Sequence, residues 1–357
     1  MATEPSAPGE GPGHREVVVP TVGLAEIAAG AADLAVDETG VPTTPLVVVD
    51  LSRDEWTHAE AAVAALRRRT VVVVGCSPAP LPDAAEPLLD ALTCTLAPSG
   101  PGRSWAPGTA TDLDAISRTV SARPRAALTL VSLLDITSRS DVPAGLVAES
   151  LAYSTLLAGP EFAAWRAATR FRPVPGSADP VLLDRRGDVL TVTLNRPERH
   201  NAFGRAVRDG LLAGLAVAER DESIREVLLR GNGHSFCSGG DLDEFGTAPD
   251  VSAAHLVRLQ QSAGYIVHRL APRVRAVLHG ACIGAGIEVP SFAGRAEAAA
   301  DAWFQLPELS MGLVPGAGGT VGITRRIGRW RTAYLALTGR AIGVDTALAW
   351  GLIDGRV

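Results

Sequence analysis

The stretch Gly280-Ala-Cys-Ile-Gly-Ala-Gly-Ile-Glu288 decides how this chain is read. It follows Val274 to Leu278, a short apolar run of the kind that forms a buried strand. Glycines at 280, 284 and 286 permit a tight turn, after which the pattern becomes helical. A helix start presents unpaired N–H groups and the positive end of the helix dipole. Ala285 and Glu288 stand three positions apart, so they share one face once the helix has begun. A backbone donor beside a carboxylate suits a site that holds an oxyanion next to an acid or base. Glycine-rich strand-to-helix turns are also common without any function.

Two other stretches have the same chemical character. In Ser235-Phe-Cys-Ser-Gly-Gly-Asp-Leu242, the glycines let a ligand approach the backbone, whose N–H groups would be a second donor set. In Phe304-Gln-Leu-Pro-Glu308, the glutamate is either a second carboxylate facing Glu288 or simply an acidic residue starting a helix. Gly316-Ala-Gly-Gly319 lacks the Gly-Lys-Ser/Thr ending of a phosphate loop. Glycines 280, 284 and 286 do not have the spacing of a dinucleotide fingerprint.

Composition narrows the chemistry. The chain has 357 residues, enough for more than one core, and is 46% hydrophobic and 20% charged, which is globular rather than disordered. A net charge of −6 gives no nucleic-acid footprint. All 33 Lys+Arg positions are arginine, so Schiff-base and phosphate-loop lysines are excluded. Any ligand phosphate falls to arginine, histidine or backbone N–H groups. Cys76, Cys94, Cys237 and Cys282 show neither metal-ligand spacing nor a disulfide framework, and no metal is expected. No apolar run reaches membrane-spanning length, and residues 1–15, rich in Pro, Gly and Glu, read as a mobile tail without a signal-peptide core. A soluble cytoplasmic protein is expected.

Along the chain, Pro45 to Leu51 and Thr70 to Gly75 read as continuous apolar strands flanking a helical Glu55–Arg69, which is a parallel α/β unit. Helices are expected over Asp112–Ala122, Ala126–Asp135, Val142–Ala158 and Pro160–Ala168, and a Pro/Gly/Ser linker over 173–180. The second half opens with a hairpin around Arg186-Gly187. Asn201 is read as the cap of a helix running to about Ala218, and Ala253–Leu270 as one amphipathic helix. Strand and helix alternate, so the fold class is α/β with parallel pairing.

From about Val181 to Val357 the chain resembles the crotonase (enoyl-CoA hydratase/isomerase) superfamily. The resemblance rests on Leu194-Asn-Arg-Pro-Glu-Arg-His-Asn-Ala-Phe203, the 235–242 and 279–288 stretches, Phe304–Glu308, Gly312-Leu-Val-Pro-Gly-Ala-Gly-Gly-Thr320, Leu337-Thr-Gly-Arg340 and Ala347–Ile353. It implies a crotonase-like ββα spiral core over 181–357 and an acyl-CoA thioester as substrate, with coenzyme A entering only as part of that substrate. It also implies a homotrimer or dimer of trimers. The enolate oxygen would be held by the Gly240 and Ala285 N–H groups. Glu288 and Glu308 would be the acid/base pair, as in a hydratase adding water to an α,β-unsaturated acyl-CoA. Arg199, His200, Ser238 and Asp241 fall at coenzyme A-binding positions. Double-bond isomerisation, a biosynthetic tailoring reaction and a non-catalytic interaction subunit remain alternatives at this point.

The resemblance also implies helices beyond Val357 that close the site. Stretches like them occur instead ahead of the catalytic half, at Arg123–Leu130, Ala148–Leu157 and Phe162–Trp165. The chain is therefore divided into an N-terminal α/β domain over 16–122, either a degenerate crotonase-like core or an unrelated unit, and a helical segment over 123–172. The helical segment is expected to cover the site of its own chain or of a neighbour. Asp243 stands where the family often has lysine, and Trp303 is a candidate for narrowing an acyl pocket.

Overall fold

The computed structural model describes residues 19–52, 56–68, 70–170, 172 and 179–357. The tail expected over 1–15 and most of the linker expected over 173–180 lie outside the described residues.

The first half builds a four-stranded parallel sheet from β1 (Thr21–Val22), β2 (Leu46–Asp50), β3 (Val72–Cys76) and β4 (Cys94–Leu96), in that order. Successive strand residues face opposite sides. Val47, Val49, Val71 and Val73 therefore pack under α1 (Leu24–Ala28), α2 (Ala59–Leu66) and α3 (Glu86–Ala91). Leu46, Val72, Val74, Cys94 and Leu96 face the other way, into the core shared with the rest of the molecule. Burial on both faces explains why these strands read as unbroken valine runs.

Four helices follow: α4 (Ala110–Ala122), α5 (Pro124–Thr137), α6 (Val142–Leu157) and α7 (Pro160–Ala168). Each has a physical start. Asp112 closes a capping box on Thr109, Asp141 accepts from Ala144 N–H, and prolines occupy first-turn positions of α5, α6 and α7.

The second half contains β5 (Val181–Arg186), β6 (Val189–Leu194), β7 (Glu226–Gly231), β8 (Ser235–Cys237), β9 (Val274–Leu278), β10 (Ala281–Ile283), β11 (Arg295–Ala298), β12 (Trp303–Gln305), β13 (Ile342–Gly343) and β14 (Gly355–Arg356). They form two sheets, ordered β14-β11-β9-β7-β6-β5 and β13-β12-β10-β8. The 186–187 hairpin makes β5 and β6 antiparallel; β6, β7, β9, β11 and β14 pair in parallel. Each of β7, β9 and β11 is followed at once by a strand of the smaller sheet, so the chain climbs in repeated strand–strand turns.

Helices α8 (Arg205–Arg220), α9 (Val251–Gln260), α10 (Ala263–Arg269), α11 (Ala285–Glu288), α12 (Gly319–Ile327), α13 (Arg329–Thr338) and α14 (Val344–Trp350) complete the fold. Two expectations are corrected. The single helix expected over 253–270 is two, because Ser262 starts α10 afresh by accepting from Tyr265 N–H. Asn201 caps no helix, since α8 begins after Gly204. Its buried amide instead accepts from Arg196 N–H and donates to the carbonyls of Asn232, Ser235 and Phe236.

The hydrophobic core does not divide at the 173–180 segment. One cluster runs from Leu46 through Leu130 and Leu146 to Phe304, Leu337 and Ile353. Polar contacts follow the same seam. Tyr334 and Arg340 donate to buried Asp112, Arg329 pairs with Asp135 at 3.1 Å, and the Thr137 hydroxyl donates to Thr320 O at 2.8 Å. A shared core ties the stability of both halves together. Urea unfolding followed by far-UV circular dichroism and by tryptophan fluorescence is therefore expected to give one coincident transition; two separated midpoints would contradict this.

Candidate active site

Strands β8, β10 and β12 lie side by side and in parallel, with Cys237 opposite Cys282 and Ile283 opposite Gln305. Gly240, Ala285 and Glu308 each stand three residues past one of these paired positions. The register thus delivers three widely separated sequence stretches to one place, at the carboxyl ends of parallel strands where α/β folds open their clefts. All three residues line a cavity of about 1080 Å³. Ala285 is the first residue of α11, where an N–H has no intrahelical acceptor. Among the described residues, neither its N–H nor that of Gly240 donates to a protein group.

Glu288 and Glu308 converge on Gly284. A Cβ at that glycine would lie 2.5 Å from Glu308 Oε1 and 3.6 Å from Glu288 Oε1, and φ is +48° there. Only glycine fits between the two carboxyls. Glu288 Oε2 accepts from the N–H groups of Ala317 and Gly319, both at 2.8 Å. That leaves Oε1 on the Gly284 side. Glu308 Oε2 is buried without a hydrogen-bond partner among the described residues.

A third buried carboxylate, Glu149 of α6, reaches the same turn. Its Oε1 accepts from Gly318 N–H at 2.7 Å, and its Oε2 from Thr320 N–H at 2.9 Å and the Thr320 hydroxyl at 2.6 Å. The N–H groups of residues 317–320 therefore alternate between Glu288 and Glu149. The two glutamates are each 2% exposed and Glu308 is 8% exposed. Burial pushes the Glu288 carboxyl up to about 7, against the two N–H groups that favour its anion. Burial, then the Glu288 charge, pushes Glu149 up to about 8. Glu308 is held well above the ordinary carboxylate range by burial, then by the Glu288 charge. These carboxyls titrate as a group and share fewer charges at neutral pH than their number.

Not every expected site residue reaches the cleft. Ser238 and Asp241 line it; Arg199, His200 and Trp303 do not. The Arg199 guanidinium is held by two carboxylates, Asp241 and Asp243, each at 2.7 Å. Asp241 in turn lies 3.6 Å from Arg196, and both are 1% exposed. Arg199 is thus a brace behind the 238–243 loop, held away from the cleft by its ion pairs. His200 occupies a left-handed turn at φ 50°, where its carbonyl accepts from Ser238 N–H. Burial raises the thiols of Cys237 and Cys282, in keeping with packed side chains rather than nucleophiles.

Helices α6 and α7 of the first half form a wall of this same chain's cavity through Glu149, Tyr153, Phe162 and Trp165. Sequence reasoning missed Glu149 and the cleft arginines Arg205, Arg208 and Arg258. One signal was present: Glu149 is the only charged residue in the sixteen of α6. A lone charge in such a helix asks for a buried partner.

Two outcomes are expected for Glu149. Glu149→Ala strands two N–H groups and a hydroxyl, at about 1–3 kcal/mol for each buried unmet group, so the urea midpoint falls sharply. Carboxyls raised on folding contribute stability that is present below their unfolded value near 4.5 and lost as pH rises through the folded values of about 7 and 8. Unfolding free energy is therefore expected to fall between pH 5 and 8, with a shallower slope in Glu149→Gln.

Residues 184–357 match the family model described as enoyl-CoA hydratase/isomerase. The 1,2-epoxyphenylacetyl-CoA isomerase of Escherichia coli (strain K12) is 36% identical over 173 residues, covering 46% of this chain and 64% of that protein. The mevalonyl-coenzyme A hydratase SIDH of Beauveria bassiana (strain ARSEF 2860) is 33% identical over 174 residues, covering 46% of this chain and 62% of that protein. The 2,3-dehydroadipyl-CoA hydratase of Escherichia coli (strain K12) is 32% identical over 174 residues, covering 49% of this chain and 68% of that protein. This chain spans just under two thirds of the length of the first two. With the convergent carboxyls and free N–H groups in place, these matches show that the chain belongs to the enoyl-CoA hydratase/isomerase family.

Proposed function

We propose that the cleft adds water across the double bond of an α,β-unsaturated acyl-CoA thioester. The observation that carries this reading is the convergence of Glu288 and Glu308 on Gly284, next to two N–H groups that no protein acceptor among the described residues uses. The thioester carbonyl accepts from Gly240 and Ala285. Ionised Glu288 takes a proton from a water held between the carboxyls, and the oxygen of that water bonds to the β-carbon. The electron pair of the double bond moves to give an enolate, whose oxygen draws tighter on the two donors. One such donor is worth about 2.7–4 kcal/mol in a transition state. Protonated Glu308 then delivers its proton to the α-carbon, restoring the carbonyl. The opposite protonation states follow from the site itself, because the Glu288 charge is one of the causes that keep Glu308 protonated.

The nucleotide end of coenzyme A is assigned to the cleft mouth, where Arg205 and Arg208 stand in a chain without lysine. Arg208 shares its charge with Asp209 at 2.8 Å, while Arg205 forms no ion pair among the described residues.

Loss of the conjugated thioester absorbance of crotonyl-CoA and longer enoyl-CoAs tests the reaction. Glu308→Gln is expected to keep its circular dichroism spectrum and lose about 10²–10⁴-fold in kcat/KM; hydration at the wild-type rate would overturn the assignment. Conversion of 3-enoyl thioesters without hydration of the conjugated ones would assign isomerisation instead. Because burial raises Glu288 to about 7, kcat/KM is expected to climb through about pH 7 as its anion forms.

A further inference from the structure

The hydration reading leaves one cleft wall without a task, the seam between α6 and α9. Arg258 of α9 stands there with its guanidinium carbon 4.7 Å from the centre of the Tyr153 ring. Nε donates to the Ser150 hydroxyl at 3.1 Å, and Nη2 to Ser150 O at 3.3 Å and to the Ser154 hydroxyl. These bonds fix the fork but use only neutral acceptors. Among the described residues, Arg258 has no ion pair and its Nη1 group donates to nothing. A half-buried guanidinium ordinarily has an anionic partner. Nearby Glu149 acts on the guanidinium only through its charge: both its oxygens accept from the 318–320 turn, and neither accepts from Arg258.

The position of Arg258 indicates which part of a ligand would supply the missing anion. Arg258, Ser150 and Tyr153 all line the cavity. The Tyr153 ring lies against Gly316, where a Cβ would fall 2.4 Å from it. Gly316 adjoins Ala317, whose N–H holds Glu288. Arg258 is therefore joined to the reacting end of the cleft through Tyr153 and this turn. The Tyr153 hydroxyl also has no protein partner among the described residues and adds a neutral donor beside the cation. The anion called for is an oxyanion within reach of a planar fork.

We propose that Arg258, with Tyr153, forms a subsite for a carboxylate carried by the acyl group, so that the preferred substrate is a dicarboxylic enoyl thioester. The proposal rests on the acyl-CoA reading above. It concerns which acyl group the site selects, not the water addition.

The test compares two enoyl-CoAs of equal chain length, one ending in a carboxylate and one in a methyl group, with wild type and Arg258→Met. In parallel, calorimetry measures binding of the corresponding saturated acyl-CoAs. Wild type is expected to favour the acid, and the acid-to-methyl ratio of kcat/KM or of affinity is expected to fall about 10–100-fold in the variant. An unchanged ratio, including one that accompanies a lowered melting temperature, would overturn the subsite and leave Arg258 as a staple between helices. Weaker binding of both thioesters alike, disappearing with pantetheine thioesters, would place a coenzyme A phosphate there and also overturn it. If wild type hydrates neither thioester, the binding ratio still decides. Preference for the acid lost in Arg258→Met keeps the subsite and removes only the hydratase reading.

Discussion

Four consecutive backbone N–H groups, from Ala317 to Thr320, are divided alternately between two buried glutamates. The rest of the site depends on this division. The turn leads into α12, so its donors are those that a helix start leaves unpaired, and the helix dipole adds to their pull on negative charge. One pair of donors fixes the Glu288 carboxyl toward Gly284; the other fixes the turn to α6. Without Glu149 beneath it, the segment that orients Glu288 would be a glycine-rich loop with two buried N–H groups unmet. The close approach also limits the residues. At Gly319 a Cβ would lie 2.8 Å from Glu288 Oε2, so the backbone itself has to occupy that space.

The same contacts explain the electrostatics. A carboxylate accepting backbone N–H groups ordinarily titrates low, yet here three buried carboxyls compete for charge at the wall of one cavity. Burial dominates, and the group that ionises first raises its neighbours. An acid and a base of the same chemical type can then coexist a few ångströms apart.

Much of this was legible in the sequence because it is local. The apolar runs of β2 and β3 announce strands buried on both faces, and Pro160 marks the first turn of α7. Gly240, Ala285 and Glu288 lie in stretches whose glycines declare close approach, whereas Glu308 was singled out with them through the family resemblance. What was not legible depends on distant partners. Glu149 meets the turn that donates to it across a separation of 169 residues, so no window of sequence contains both. Arg199 has the composition of a ligand contact, but Asp241 and Asp243 take its charge from behind the loop. Asn201 has the residue type of a helix cap, while its backbone has φ 54° and its amide donates to the carbonyls of Asn232, Ser235 and Phe236 instead. In each case residue type was readable and direction was not.

The placement of Glu149 also has a consequence for synthesis. A ribosome releases α6 long before the turn that Glu149 holds, and early segments tend to fold first. The nascent chain therefore carries a glutamate on a helix whose neighbours, Leu146 and Ser150, are destined for the interior. At that stage the carboxyl is wet, charged and ordinary. Only when residues 318–320 arrive does the acid lose its water and acquire its donors. The site is thus assembled backwards, with the support waiting for the part it supports, and the raised carboxyls of the cleft appear only once that part has been made.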